Sequence, residues 1–289
     1  RALRDKYSQK TGDTAAAIRD ILRPGQTMTN KSVSTGQEAL EKYAVQVQAN
    51  FAFTSRGMES ARLRTRLDVV LDEKRKVIES LRAKAGEQPQ KPALLSIPVI
   101  LFPKTMGFHE QHVVELAVDF RHNKLLYLDS KGESIEAATK NYDSDDIAEA
   151  LSHFGNAIFP DSGWDPRTGI VQMTQAKQKG ANDCGAFTHD FTRRLIDGQS
   201  VGDIERSFDA DDRRLLRQNM AKDIENLSPP PDEESEIQPG SGDLKPQAKT
   251  SNEEFDDLGS DLGAPIASGN SGNKRPEEQD DEFFELRRS

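Results

Sequence analysis

Cys184 is the one cysteine of the chain and stands in the run Asn182-Asp183-Cys184-Gly185. A thiol becomes a nucleophile as its thiolate, which forms where a base takes the proton and a positive potential holds the charge. Phe187, Phe191 and Leu195 follow at helical spacing and Gly198 ends the pattern, so Cys184 opens an expected helix. A helix N-terminus supplies that potential, and its unpaired backbone N–H groups can hold a developing oxyanion. Gly185 lets a substrate backbone approach closely. A buried structural thiol is the commoner role of an arbitrary lone cysteine, and the glycine-flanked helix start argues for the reactive one.

A base must come from His109, His112, His122, His153 or His189. His112 immediately precedes the apolar run 113–120. Asp129 closes the next run, 125–128, after the turn-like Arg121-His122-Asn123-Lys124. Paired as a hairpin, the start of one strand lies beside the end of the other, which makes His112 and Asp129 an imidazole–carboxylate pair. His122 falls at the solvated turn, and His153 and His189 fall in helical patterns. His109, in the loop before His112, is the serious rival.

These residues need elements to hold them. Asp13 can cap a helix carrying Ile18, Ile21 and Leu22, ended by Pro24 and Gly25. Thr35 with Glu38 is a capping-box signal before Ala39, Leu40, Ala44 and Val47. Leu63, Leu67, Val70, Val77, Ile78 and Leu81 recur at helical spacing, with Gly86 as a stop and a polar link at 87–91. Short apolar runs at 94–102, 113–120 and 125–128 read as strands, and 169–174 as a further one. Ser144 can cap a helix with Ile147, Ala150, Leu151 and Phe154 that ends near Gly155, and a last helix covers 209–224. Helices, then strands, then helices predict an α+β domain.

The hydrophobic fraction of 34% and aromatic fraction of 6% are low for a chain of 289 residues folded throughout. Residues 228–289 hold 16 Asp and Glu against 6 Lys and Arg, so the whole net charge of −10 lies there and the preceding part is neutral. A neutral domain lacks the basic footprint of nucleic-acid binding. From Ser228-Pro229-Pro230-Pro231 onward the composition cannot bury enough apolar area to offset ordering, so 228–289 is expected to be a disordered acidic tail. The expected division is a helical N-terminal or accessory region 1–90, a catalytic domain 91–227 and that tail. One cysteine permits no internal disulfide and no thiolate metal cluster, which fits a reducing compartment. No apolar run approaches the roughly 18 residues of a membrane span, and no secretory core is visible, although the opening residue is Arg1 rather than Met, which leaves room for an upstream segment. A cytosolic soluble protein is the default expectation.

Two spaced blocks carry a family resemblance. The run from His112 to Arg121, continued by Tyr127-Leu128-Asp129-Ser130-Lys131-Gly132, resembles the His-containing hairpin of the clan CE cysteine peptidases. That clan includes the SUMO-specific Ulp/sentrin proteases and bacterial effector deubiquitinases. The run from Gln178 through Cys184 and Gly185 to Phe187 resembles its Gln-x5-Cys-Gly element. Residues 94–99 and 213–224 are similar to its first central strand and closing helix. The resemblance, spanning 94–227, implies a papain-like, Ulp-type fold with a central mixed sheet flanked by helices. It implies a thiol-dependent isopeptidase that cleaves after the C-terminal glycine of ubiquitin or a ubiquitin-like protein, whether SUMO, a Nedd-type or an autophagy modifier. By this resemblance Cys184 is the nucleophile, His112 the base and Asp129 the orienting acid. Gln178 and the Cys184 backbone N–H bind the oxyanion. No metal or cofactor is implied, and a monomer is expected.

Val113 stands where many SUMO proteases carry Trp after the catalytic His, and the aromatic-rich SUMO-gripping motif is not apparent. The longer loop 102–111 and the helical N-terminal region are more like effector enzymes of bacterial pathogens, which implies secretion into a host cytoplasm. Val113, Gly185, Phe108, Trp164 and Phe187 are candidate walls for the substrate's glycine tail, with ordinary packing as the competing role of the three aromatics. The N-terminal helices either contact substrate or pack on the catalytic domain, and the stripe 63–81 suits packing. YopJ-type acetyltransferases share the His–acid–Cys geometry and form the alternative, although their acid is usually Glu where this chain has Asp129. Competent residues at all four machinery positions argue against a catalytically dead binding module. In the tail, Phe255 with Leu258 and Phe283 with Leu286 resemble the short acidic motif that binds autophagy modifiers. The acidic cluster 277–285 resembles a C-terminal type IV secretion signal.

Overall fold

The computed structural model describes residues 2–23, 25–54, 58–60, 62–104, 111–143, 145–179 and 182–227. They belong to one compact unit, Arg1–Glu236. The helices α1 (Ala2–Tyr7), α2 (Asp13–Ile21) and α3 (Asn30–Gln46) lead into the short strands β1 (Asn50–Phe53) and β2 (Met58–Glu59). Then come α4 (Leu63–Glu73), α5 (Arg75–Glu87), β3 (Ala93–Pro103), β4 (His112–Asp119) and β5 (Lys124–Leu128). They are followed by α6 (Ile135–Asn141), β6 (Tyr142–Asp143), α7 (Ile147–Ile158), α8 (Pro166–Gly169) and β7 (Ile170–Gln172). The order closes with α9 (Cys184–Ile196), α10 (Val201–Ser207) and α11 (Ala210–Leu227). This is the expected α+β architecture.

The sheet runs β1-β3-β4-β5-β7, with β2 and β6 also paired to β3. The β3–β4 and β4–β5 pairs are antiparallel, and β1 and β7 are parallel to their neighbours. β3 is buried on both faces along its first nine residues, which explains its nearly continuous apolar sequence. Its alternate residues serve two cores. Leu95, Ile97, Val99 and Leu101 join Val114, Leu116 and Val118 against α4, α5 and α7. On the other face Leu94, Ala117, Leu126 and Leu128 meet Ile18, Ile21, Leu40, Phe187, Phe191 and Met220, which come from α2, α3, α9 and α11. Each such large side chain contributes roughly 1.5–3 kcal/mol by leaving water. The hairpin between β4 and β5 turns at Asn123, whose φ of 52° lies in the left-handed region that Asn tolerates.

Several expected boundaries move. α3 begins at Asn30 rather than near Thr35, because Thr29 is its cap and accepts from the Ser32 N–H at 3.2 Å. Asp20 Oδ2 accepts from the Thr29 N–H and hydroxyl at 2.9 and 3.0 Å, a tertiary support that no local motif displays. Thr35 lies inside the helix and donates back to the Lys31 carbonyl at 3.0 Å. Asp13 is the first helical residue, preceded by Gly12 with no side-chain cap. The stripe 63–81 is two helices broken at Lys74, and α5 continues past Gly86. α7 is capped by Asp146 and runs beyond Gly155 to Ile158, while Ser144 lies outside the described residues. A Cβ on Gly155 would stand 2.2 Å from the Trp164 ring, so that glycine admits an indole rather than ending a helix.

Candidate active site

His112 opens β4, and Asp129 follows the last residue of β5. Glu115 pairs with Leu128, so one further step brings Asp129 level with Val114, and His112 lies diagonally across on the same face. The hairpin register therefore makes this pair: His112 Nε2 and Asp129 Oδ1 are 2.7 Å apart, with side chains only 1% and 0% exposed. The Lys131 N–H also donates to Oδ1, at 2.7 Å, which fixes the carboxylate. Tyr142 stacks on the imidazole at 6.1 Å between centroids.

The second ring nitrogen, Nδ1, is buried and lacks a conventional hydrogen-bond partner. The ionisable partner of His112 besides Asp129 is the thiol of Cys184, at the head of α9. Burial works against an imidazolium, but the Asp129 hydrogen bond and the Cys184 charge outweigh it and push His112 up to about 9. Burial also works against the thiolate. The His112 hydrogen bond and charge, with the backbone N–H groups of Val113 and Gly185, hold the Cys184 pKa below the ordinary thiol value. Each partner's charge favours the other's, so the arrangement favours thiolate and imidazolium together.

Ser130, next to the acid, donates to Gln178 Oε1 at 2.6 Å. Fixing that oxygen as acceptor makes the Gln178 amide nitrogen the donor end. The Ser130 carbonyl accepts from the Lys177 and Gln178 N–H groups at 2.8 and 2.7 Å. Gly132, at φ 69°, lets this turn pass so close that a Cβ there would meet the Ala176 nitrogen at 2.5 Å. One tight turn, 129–132, thus orients both His112 and Gln178. A Ser in Tyr-Leu-Asp-Ser reads as a turn residue, so its sequence carries no sign of this second task.

Cys184, Val113 and Gly185 line one narrow cleft together with Met28, Val33 and Asn182. Gly185 is required there, since a Cβ would lie 2.9 Å from Val33 Cγ2 and 3.0 Å from Met28 Cε. Two expected walls lie elsewhere. Trp164 donates from Nε1 to the Asn123 carbonyl at 3.0 Å, at the turn end of the hairpin and away from His112, and covers Gly155 and Gly169. Phe187 is buried against Phe191 and Phe208. Phe108 and the rival base His109 lie outside the described residues, as do the tail positions Phe255, Leu258, Phe283 and Leu286.

The remaining histidines have structural partners: His122 pairs with Asp119, His153 with Asp68, and buried His189 with Asp223. Among the described residues no cluster of His, Cys, Asp or Glu could hold a metal ion. No helix there is long and apolar enough to cross a membrane.

The model of the "Ulp1 protease family, C-terminal catalytic domain" matches residues 61–229. No curated protein sequence matches the chain. Among solved structures the chain is similar to the SUMO protease Ulp1 with its catalytic cysteine oxidized to a sulfonic acid. The identity is 12%, over 77% of this chain and 92% of that one, at a TM-score of 0.46. The Chlamydia trachomatis effector protein Cdu1 bound to ubiquitin is 14% identical over 68% of this chain and 90% of its own, at a TM-score of 0.44. The Ulp1 protease domain in complex with Smt3, the yeast ortholog of SUMO, is 12% identical over 74% and 82%, at 0.43.

Proposed function

The chain belongs to the Ulp1 protease family, and on that footing we propose that it is a cysteine peptidase releasing ubiquitin or a ubiquitin-like modifier by cleavage after the modifier's C-terminal glycine. One observation carries the reading: buried His112 stands between the Asp129 carboxylate at 2.7 Å and the Cys184 thiol, whose pKa it lowers. In the reaction, the Cys184 thiolate bonds to the glycine carbonyl carbon and the carbonyl electron pair moves to oxygen. The Cys184 N–H and the Gln178 amide donate to that oxyanion. Its collapse breaks the C–N bond as His112 gives a proton to the leaving lysine amine, and a thioester remains. Neutral His112 then takes a proton from water as the oxygen attacks the thioester. Collapse of the second oxyanion restores thiolate and imidazolium and frees the modifier's carboxyl group. Asp129 keeps the imidazole in the required orientation throughout. The close approach of Val33 and Met28 to Gly185 suits a substrate tail without side chains.

The test incubates the protein, and its Cys184→Ala variant, with C-terminal electrophile probes of ubiquitin, SUMO, a Nedd-type and an autophagy modifier. The expected result is a mass increase of one probe on the wild type and none on the variant. Folded protein inert to every probe would overturn the reading, and labelling with acetyl-CoA would then decide for the acetyltransferase alternative. We further infer that the protein is a bacterial effector acting in host cytoplasm, supported by the acidic cluster 277–285. Unchanged export after deletion of that cluster would count against a secretion signal there.

A further inference from the structure

Arg217, on α11, is remote from Cys184 in sequence, and its side chain is 15% exposed. A guanidinium has five N–H donors in a rigid fork, and here every one is used. Nε donates to Asp183 Oδ1 at 2.6 Å. One terminal nitrogen, Nη1, donates to the carbonyls of Ile21 and Arg23 at 3.0 and 2.9 Å. The other, Nη2, donates to the Gln26 carbonyl at 2.7 Å and to the Asn182 carbonyl.

Asp183 is the N-cap residue of α9, and Asp at that position ordinarily turns its carboxylate onto the N–H groups of the first turn. No such bond forms. The carboxylate is committed to Arg217 instead, and the first turn of α9 is where the proposed reaction develops its oxyanion. Asn182, just before, has a φ of 78°, a conformation that needs support. Its side chain accepts from Thr27 at 2.7 Å and donates to the Gly25 carbonyl at 3.2 Å. Ile21, Arg23 and Gln26, whose carbonyls Arg217 holds, precede the family-matched segment and come shortly before the Met28 wall of the cleft.

We propose that Arg217 is a positioning residue that keeps the Asp183 carboxylate off the N-terminus of α9, so that the helix's N–H groups stay open to the oxyanion. The proposal rests on the peptidase reading. Asp183 sits at φ −106° and ψ 0° rather than in the extended backbone of a capping residue. Without the guanidinium its backbone and carboxylate are released to cap α9, which fills the donors and sets a negative charge beside both thiolate and oxyanion.

The experiment compares wild type, Arg217→Ala, Arg217→Lys and the double variant Arg217→Ala/Asp183→Ala, each checked for a cooperative melt. Two rates are read: acylation by the probe that the wild type accepts, and iodoacetamide alkylation of Cys184 against pH. Arg217→Ala is expected to slow acylation by about 10–100-fold and to move the alkylation profile to higher pH. The double variant should recover most of both losses, a rescue that a purely architectural arginine would not give. Arg217→Lys, with three donors, should be intermediate. Should Arg217→Ala not fold, Arg217→Lys with and without Asp183→Ala makes the same comparison. A folded double variant no better than the single, or a single variant equal to wild type, overturns the proposal. A wild type inert to every probe sinks the peptidase reading, while the alkylation profiles still judge the Arg217–Asp183 arrangement.

Discussion

The form of the proposed enzyme that reacts has Cys184 deprotonated and His112 protonated, so its population is bounded by the two pKa values. The Cys184 value is lowered, and activity rises as pH climbs through it. The His112 value lies at about 9, and activity falls above that as the leaving amine loses its proton donor. The pair titrates together, so a pH profile of kcat/KM reports the couple. In Asp129→Asn the imidazolium loses its main support, and the alkaline limb should move well below 9 with a rate loss of about 10²–10⁴-fold. An alkaline limb that stays in place would refute the assignment of Asp129. Gln178→Ala should cost about 10²–10³ in the acylation rate. Ser130→Ala should cost less, about tenfold, with little change in Tm, because it frees the amide to rotate without removing it. Equal rates for Ser130→Ala and wild type would remove Ser130 from the site. The pairing of His112 with Asp129 and the place of Cys184 at a helix start are legible in the sequence, because a hairpin's two ends and a lone thiol before a helical pattern each constrain a position. Ser130 and Arg217 were not legible, since their meaning lies in partners such as Gln178 and Ile21 that only folding brings near.

Among the elements, the turn 129–132 carries the sharpest constraint, because backbone rather than a flexible side chain opposes a larger residue at Gly132. Gly132→Ala must both hold a positive φ, which costs roughly 1–2 kcal/mol, and push the segment at Gln175 and Ala176 outward. Its Tm should fall by several degrees, and acylation should fall further than the folded fraction accounts for, since Gln178 is displaced. Wild-type acylation per folded molecule would show that the loop accommodates the methyl group. The runs that became β3, β4 and β5 were readable because both or alternate faces are apolar. β1 is not: its four residues are too few to show a period and become a strand through parallel pairing with β3. The start of α3 is hidden in the sequence for a related reason, since Thr29 is supported by Asp20 on another helix and Thr35 only imitates a cap.

At the scale of the molecule, the helices before residue 50 share a core with the helix that bears Cys184. Ile18, Ile21 and Leu40 pack in one cluster with Phe187, Phe191 and Met220. A chain beginning at residue 61, where the family match starts, would leave that face uncovered. We expect it to show no cooperative thermal transition by circular dichroism and no probe acylation. A cooperative melt would show that α1–α3 are dispensable. The ends of this unit are also tied directly, by the ion pair of Lys6 and Glu225 at 2.6 Å and by Arg217 reaching Ile21. On the ribosome these contacts can close only once α11, the last of the described elements, has been made. Long-range closure of this kind is slow compared with local helix formation. The nascent chain carries Cys184, His112 and Asp129 before Arg217 emerges on α11 to hold the loop ahead of the thiol. The thiol is thus made before the arginine that holds its loop, and an unfinished chain lacks that support.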